Sequence, residues 1–329
     1  MERKPILGIS MGDPAGIGPE IIVKALKDKK VKEVCLPVVF GSYDVFRRFS
    51  NLKINLVFSF QRKNLKENCF NLCHCTDLDF SGITSGKLSF GSAQMAVNSL
   101  LCAIEMAKRK KFDALVTAPL SKEGLRMTGY DFPGHTELLA FLTNAKNFGM
   151  MFLSENFKII LVTTHLPLKK VSQVLTPEKI LDKIKLAHTS LKNLFKIKNP
   201  KIAVTGLNPH SGEKGVLGDE EMKIIIPAIK KALKQKMDVF GPIPADALFT
   251  LENAKKFDCF VAMYHDQGLI PAKLFGFGTA VNVTVGLPFI RTSPDHGTAW
   301  DIAGKNLANP KGMINALLWA VRLAKLKRE

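Results

Sequence analysis

"FVAMYHDQGLIP", residues 260–271, passes without a spacer from the apolar run Phe260–Met263 to Tyr264, His265, Asp266, Gln267 and Gly268. An apolar run with no polar alternation fits a strand buried on both faces of a parallel sheet. An imidazole and a carboxylate directly beyond it sit where open α/β sheets bind their ligands, outside the carboxyl ends of the strands. The junction recurs. Of the seven histidines at 74, 135, 165, 188, 210, 265 and 296, three close an apolar strand candidate: "IILVTTH" ends at His165, "IAVTGLNPH" at His210 and "CFVAMYH" at His265. Each taken alone is equally an ordinary core or surface histidine. Three delivered to one sheet edge are expected to form a metal site, and imidazole nitrogen suits zinc, cobalt, nickel or iron(II) better than magnesium.

The same alternation runs along most of the chain. "PILGISMG", "CLPVVFG", "FDALVTAPL", "FKIILVTTH", "PKIAVTGLNPH" and "FDCFVAMYH" read as strands, most opening into polar or Gly/Pro loops. Helices are expected from about Ile17 to Leu26 and near 177–194, 219–235 and 311–327. Another is expected at 88–109, where Ala93, Val97, Leu100, Leu101 and Ile104 form a helical stripe. Alternating strands and helices predict an α/β fold with a largely parallel sheet. At 329 residues the chain is long enough for two domains or one large one.

A hydrophobic share of 46% with 23% charged residues is that of a globular protein, and no apolar stretch approaches the roughly 18 residues of a membrane span. The N-terminal apolar segment is short and interrupted by Asp13, unlike a secretion signal, so a cytoplasmic protein is expected. The net charge of +18 raises nucleic acid as a partner. Its basic residues are spread along the chain, and aromatic residues are not interleaved with them as a stacking platform requires. A lysine-rich solvated surface with basic clefts for anionic metabolites is the preferred reading, with neither nucleic acid nor membrane as partner. "CFNLCHC" (Cys69, Cys73, His74, Cys75) has no second Cys/His pair at zinc-finger spacing and reads more simply as a strand edge. Without a secretory context, disulfides are not expected.

Other polar residues furnish a candidate pocket. His135 and Thr136 open the helical run "GHTELLAFL", either contacting an anion at the free backbone N–H groups or, for Thr136, capping the helix. His188 falls within a helical run and reads as a packing or surface residue. Asp246 lies in the Gly/Pro-rich "GPIPADALF". Lys273, Asn282 and Arg291 are a natural cradle for a phosphate or carboxylate.

"GDPAGIGPE" (12–20) resembles the Gly-Asp-Gly-Ile-Gly-Pro-Glu stretch of isocitrate and isopropylmalate dehydrogenases. "DHGTAWDIAGKNLANP" (295–310) is similar to their adenosine-binding loop, its "NLANP" closest to the isopropylmalate enzymes. Neither is a Rossmann Gly-x-Gly-x-x-Gly fingerprint. Together with "FPGHTELLA", "TTHLPLKKV", "GLNPHSGEKGVLGDEE", "GPIPADALF" and the run from Tyr264 to Asn306, the ordered set is similar, nearly end to end, to the 4-hydroxythreonine-4-phosphate dehydrogenase family of pyridoxine 5'-phosphate biosynthesis.

The resemblance implies two α/β/α domains with a cleft between them, built like isocitrate dehydrogenase. We expect residues 1–127 plus 292–329 to form the cofactor-side domain and 128–291 the metal, substrate and dimerisation domain. It implies metal ligands at His165, His210 and His265, substrate contacts at His135, Thr136, Lys273, Asn282 and Arg291, and adenosine-side positions at His296, Gly297, Asp301 and Asn309. The position matching Asp301 accepts from the ribose hydroxyls and favours NAD over NADP. One divalent metal (zinc, cobalt or magnesium) per active site and a homodimer sharing its sites, with His265 donated across the interface, are also implied. The expected reaction is NAD-dependent oxidation of the C3 hydroxyl of 4-phosphohydroxy-L-threonine to a β-keto acid that decarboxylates, with Asp246 and Asp266 as candidate bases. A sister activity on 4-phospho-threonate or 4-phospho-erythronate, and from another class a zinc hydrolase, are the alternatives.

Overall fold

The computed structural model describes residues 3–49, 52–276 and 279–328. The chain divides into two compact units, Met1–Ala145 with Leu287–Glu329, and Lys146–Gly286.

The first unit carries strands β1 (Ile6–Ser10), β2 (Leu36–Gly41), β3 (Ile54–Leu56), β4 (Phe70–His74) and β5 (Ala114–Thr117). The second carries β6 (Gly149–Leu153), β7 (Lys158–Leu161), β8 (Lys201–Thr205), β9 (Asp238–Ile243), β10 (Cys259–Ala262) and β11 (Val281–Val285), after which β12 (Ile290–Pro294) returns to the first.

In the first unit the order is β3-β4-β2-β1-β5-β12, and all five pairings are parallel. β1 and β5 are buried at every residue, as unalternated apolar strands covered on both faces must be. The helix Phe90–Lys108 packs on β1, β2 and β5 through the expected stripe, with Ala93, Val97, Leu100 and Ile104 buried. Its start is specified locally. Ser89 and Ser92 form a reciprocal capping box, each side chain accepting from the other's backbone N–H. The last helix, Lys311–Arg328, lies against β12 and β5.

Residues 128–145, grouped with the second domain in the sequence reading, belong to the first unit. The reason is the apolar face of the helix His135–Leu142, whose Leu138 and Leu139 are buried among Leu100, Ile104, Leu115 and Leu125.

In the second unit the order is β11-β6-β7-β10-β8-β9. β7, β10, β8 and β9 run parallel, while β6 is antiparallel to both β7 and β11. The helix Pro177–Asn193 matches its expected bounds, with Thr176 as N-cap. The segment expected as one helix at 219–235 is in fact composite, a π-turn at Glu221–Ile225 followed by an α-helix at Ile226–Lys234. Pro227 has no N–H to donate, so the backbone ahead of it loses its regular ladder and opens into the wider turn.

Candidate active site

The stretch at 260–271 is a buried strand end that runs into a helix. Phe260, Val261, Ala262 and Met263 are fully buried, and the helix His265–Gly276 begins on the imidazole. Gly268 in its first turn is closely packed: a Cβ there would lie 2.5 Å from Leu161 Cδ2, and that side chain would have to shift. β10 lies between β7 and β8, so the loops carrying His165, His265 and His210 leave the carboxyl ends of three adjacent parallel strands. Beyond β7 the pairing continues through Val162 N–H to Ala262 O (2.9 Å) and Thr163 N–H to Met263 O (3.2 Å). That register carries the His165 and His265 rings to 5.8 Å between centroids, at 43°. Both rings, with Thr164, Leu166, Leu168, Val171, Tyr264 and Asp266, line a pocket of about 270 Å³. Asp266 Oδ1 lies 2.6 Å from His265 Nδ1, which leaves Nε2 as the outward nitrogen.

His210 stands on a backbone of unusual conformation. His210, Ser211, Glu213 and Lys214 all have φ between 43° and 55°, the left-handed region. Each such residue costs about 1–2 kcal/mol, so the loop must be held by other contacts. Glu221, in the π-turn and almost fully buried, accepts from the N–H groups of Leu207 and Asn208 at 2.7 Å each and from Asn208 Nδ2 at 2.9 Å. Gln267 braces the neighbouring strand ends. Its Oε1 accepts from Thr205 Oγ1 (2.8 Å) and Met263 N–H (2.7 Å), and its Nε2 donates to Gly206 O (2.7 Å). In one chain the nitrogen atoms of the three histidines do not all come within 4.8 Å of one another.

Asp246, exposed in the turn Ala245–Leu248 after β9, leaves the same sheet edge, because β9 runs parallel to β8. Lys273 is exposed on the helix that His265 opens. Asn282 lies in β11, and its buried Oδ1 has no hydrogen-bond partner.

The remaining expected substrate residues are in the first unit. Arg291, on β12, is 2% exposed and donates to Thr117 Oγ1 through Nε (3.2 Å) and Nη2 (2.7 Å). Burial pulls its pKa down to about 10, opposed by the Glu137 carboxylate. His135 opens its helix beside these groups, and burial together with the Arg291 charge pulls its imidazole down to about 3. Thr136 is buried at the second position of the helix, and Gly134 rather than Thr136 occupies the N-cap position. His135 is therefore a neutral hydrogen-bonding group near neutral pH.

This has a consequence for acid stability. Between about pH 6.5 and 3 the unfolded chain holds one proton more than the folded chain at this site, so stability falls as pH drops through that window. His135→Asn should flatten this limb: the drop in Tm between pH 7 and pH 4.5 should be smaller than in the wild type. An equal drop would mean that His135 titrates normally.

The two dehydrogenase-like segments dock on each other within the first unit. Ile17 N–H donates to Thr298 O (3.0 Å), Trp300 Nε1 to Asp13 Oδ2 (3.2 Å) and Ala308 N–H to Glu20 Oε1 (2.9 Å). Lys24 Nζ reaches the carbonyls of Asn306 and Ala308, both at 2.9 Å. Asp13 is wholly buried, and that burial raises its pKa. Gly12 has φ 73°, and a Cβ there would meet Pro119 O at 2.5 Å, so the first motif needs its glycine. A pocket of about 410 Å³ opens on these loops, lined by Gly16, Lys24, Lys27, Arg48, Gly304 and Asn306 among others. His296, Gly297, Asp301 and Asn309 are exposed on the second loop, and Asn309 Oδ1 accepts from Lys311 N–H at the start of the last helix.

The family model described as "Pyridoxal phosphate biosynthetic protein PdxA" matches residues 33–320. The chain belongs to the PdxA family. It is an oxidoreductase with an α/β fold of the isocitrate dehydrogenase-like class. A protein of Oceanobacillus iheyensis provisionally named D-threonate 4-phosphate dehydrogenase is 46% identical over 99% of this chain and 100% of its own. A 4-hydroxythreonine-4-phosphate dehydrogenase of Desulforapulum autotrophicum is 40% identical over 97% and 95%. The crystal structure of 4-hydroxythreonine-4-phosphate dehydrogenase from Klebsiella pneumoniae superposes with a TM-score of 0.91 at 37% identity, covering 98% of this PdxA-family chain and 100% of that one.

Several residues that shape these sites escaped the sequence reading. Gln267 carries no local signal of its bracing role, and Glu221 stands only as one acid among "GDEE". Asp13, Glu20 and Thr117 act through partners more than 170 positions away, a separation no local pattern reveals.

Proposed function

We propose that this PdxA-family enzyme oxidises the C3 hydroxyl of 4-phosphohydroxy-L-threonine with NAD and a divalent metal ion. The observation that carries the reading is the delivery of His165, His265 and His210 to one edge of adjacent strands β7, β10 and β8. The donor set fits such an ion: three imidazoles at one sheet edge, one with Nδ1 engaged by a carboxylate and Nε2 left to ligate. When bound, the metal supplies Lewis-acid polarisation of the substrate hydroxyl, and NAD supplies the hydride acceptor. A homodimer in which the partner copy contributes its His265 would complete a ligand set that does not converge within one chain.

Asp266 is held by His265 and acts as its orienting group, which leaves Asp246 to accept the C3 hydroxyl proton on a carboxylate oxygen. Arg291 receives the phosphate. An anion beside a guanidinium only 2% exposed offsets the cost of burying that charge. Neutral His135 and Thr136 orient the substrate by hydrogen bonds. The product is a β-keto acid. Cleavage of its bond to the carboxylate releases carbon dioxide, the electron pair passes to the ketone, and protonation gives 3-amino-2-oxopropyl phosphate.

The 46% identical Oceanobacillus relative favours a second reading, the sister activity on 4-phospho-D-threonate, which carries a hydroxyl in place of the amine. The deciding assay is NADH formation with each substrate side by side, with and without added zinc, cobalt or magnesium. A higher kcat/KM for 4-phosphohydroxy-L-threonine supports the first reading, and preference for the threonate overturns it.

Asp301 is proposed to face the adenosine ribose, exposed in the turn Trp300–Ile302 next to the anchored Trp300. Asp301→Ser should raise the KM for NAD and improve relative use of NADP, because it removes a carboxylate that repels the 2'-phosphate. An unchanged NAD/NADP ratio would remove Asp301 from the cofactor site.

A further inference from the structure

Three cysteines, none of them assigned above to substrate, cofactor or the histidine set, gather in the first unit. The sulfur atoms of Cys73, Cys75 and Cys102 all lie within 4.8 Å of one another, the sole such grouping of His, Cys, Asp or Glu donors among the described residues. Two come from one strand. Cys73 lies in β4 and Cys75 directly follows it, so the two-residue strand period puts both side chains on the same face. His74 between them faces the other way, its Nδ1 accepting from Tyr43 N–H at 3.0 Å and its Nε2 lying 3.1 Å from Asp77.

The third sulfur comes from the helix Phe90–Lys108, in whose last two turns Cys102 sits. Helix and strand end are tied nearby by Asn98 Nδ2 donating to Thr76 Oγ1 at 3.4 Å. Cys75 Sγ is further placed by its bond to Cys73 O at 3.0 Å. All three cysteines are free thiols, half-buried, and packed on the apolar cluster that contains Leu100 and Ile104.

Packing alone asks only that each thiol fill space as a small apolar side chain. It does not ask three sulfurs to face one point. Ligands about 2.3 Å from a central cation lie roughly 4.0 Å apart in a trigonal plane, and the observed spacing reaches that by small side-chain rotations. Partial exposure leaves an entry path.

We propose that Cys73, Cys75 and Cys102 bind a thiophilic d10 cation, copper(I) in a three-sulfur site or zinc(II) with water as fourth ligand. Binding replaces the thiol protons, which leave to solvent, by sulfur–metal bonds. The bound ion adds a second tie between the end of β4 and the helix Phe90–Lys108, segments joined in sequence by the fifteen irregular residues 75–89.

The test is cadmium(II) titration of the reduced, chelator-stripped full-length protein, followed by sulfur-to-cadmium charge-transfer absorption, which a histidine site does not produce. One equivalent should develop the band in the wild type, in His210→Ala and in Cys69→Ser. Zinc(II) or copper(I) should displace it. In Cys102→Ser the affinity should fall more than about 100-fold, beyond what losing an outer-sphere partner costs. If Cys102→Ser fails to keep the wild-type far-UV circular dichroism, Cys75→Ser provides the same comparison from the strand side. No band in the wild type, wild-type affinity in the folded cysteine variant, or equal loss in Cys69→Ser would overturn the proposal.

Discussion

Replacing His210 by alanine is expected to lower kcat by about 10³-fold or more while leaving Tm nearly unchanged. Losing one ligand of a Lewis-acid centre removes several kcal/mol of transition-state stabilisation, and about 4 kcal/mol corresponds to a thousandfold in rate. The side chain is exposed on its loop, so little packing goes with it. Its φ of 52° is as unfavourable for alanine as for histidine, so the substitution does not relieve the backbone. His210→Gly provides a sharper contrast. Glycine adopts this conformation freely, so that variant should be as inactive as His210→Ala yet more stable, by about 1 kcal/mol. Metal analysis should show less than one equivalent of zinc or cobalt bound at the histidine site in both. Full activity with full metal content would remove His210 from the ligand set.

Arg291→Ala should weaken binding of the phosphorylated substrate by roughly 1.5–3 kcal/mol, the range for a hydrogen bond to a charged group. The effect belongs to KM and kcat/KM, because phosphate binding is shared by ground and transition states. Its size rests on burial. At 2% exposure the guanidinium is little screened, and Thr117 fixes its plane through two donors. Arg291→Lys should recover only part of the loss, since one ammonium cannot bond Thr117 and grip an anion in the same forked geometry. The partner's charge can be read separately. A phosphate loses charge below its second ionisation near pH 6, so the wild-type KM should rise as pH falls through that value. A substrate lacking the phosphate should bind wild type and Arg291→Ala almost equally poorly. Additive losses in that cycle would place Arg291 outside the phosphate cradle.

What the amino-acid sequence determined by itself is the set of features that depend on near neighbours. Apolar runs such as Phe260–Met263 specify buried strands because burial on both faces tolerates no polar alternation. The stripe on Phe90–Lys108 and the Ser89–Ser92 box set that helix's face and its start within one or two turns. The recurrence of histidine at strand ends was legible for the same reason, since a chain leaving a parallel strand puts its next polar residues at one edge.

Only the tertiary structure decided the rest, because those features join segments far apart in sequence. The register of β7 against β10 brings His165 beside His265, and a different pairing would separate them with no change in either stretch. The left-handed run around His210 depends on Glu221, whose burial in a π-turn follows from Pro227 and from packing. The unit boundary moved to 145 because Leu138 and Leu139 found their core among residues of the preceding segment. Cys102 joined Cys73 and Cys75 only when its helix packed against the sheet. Long-range contacts depend on the summed packing of the fold, and no local pattern encodes that sum.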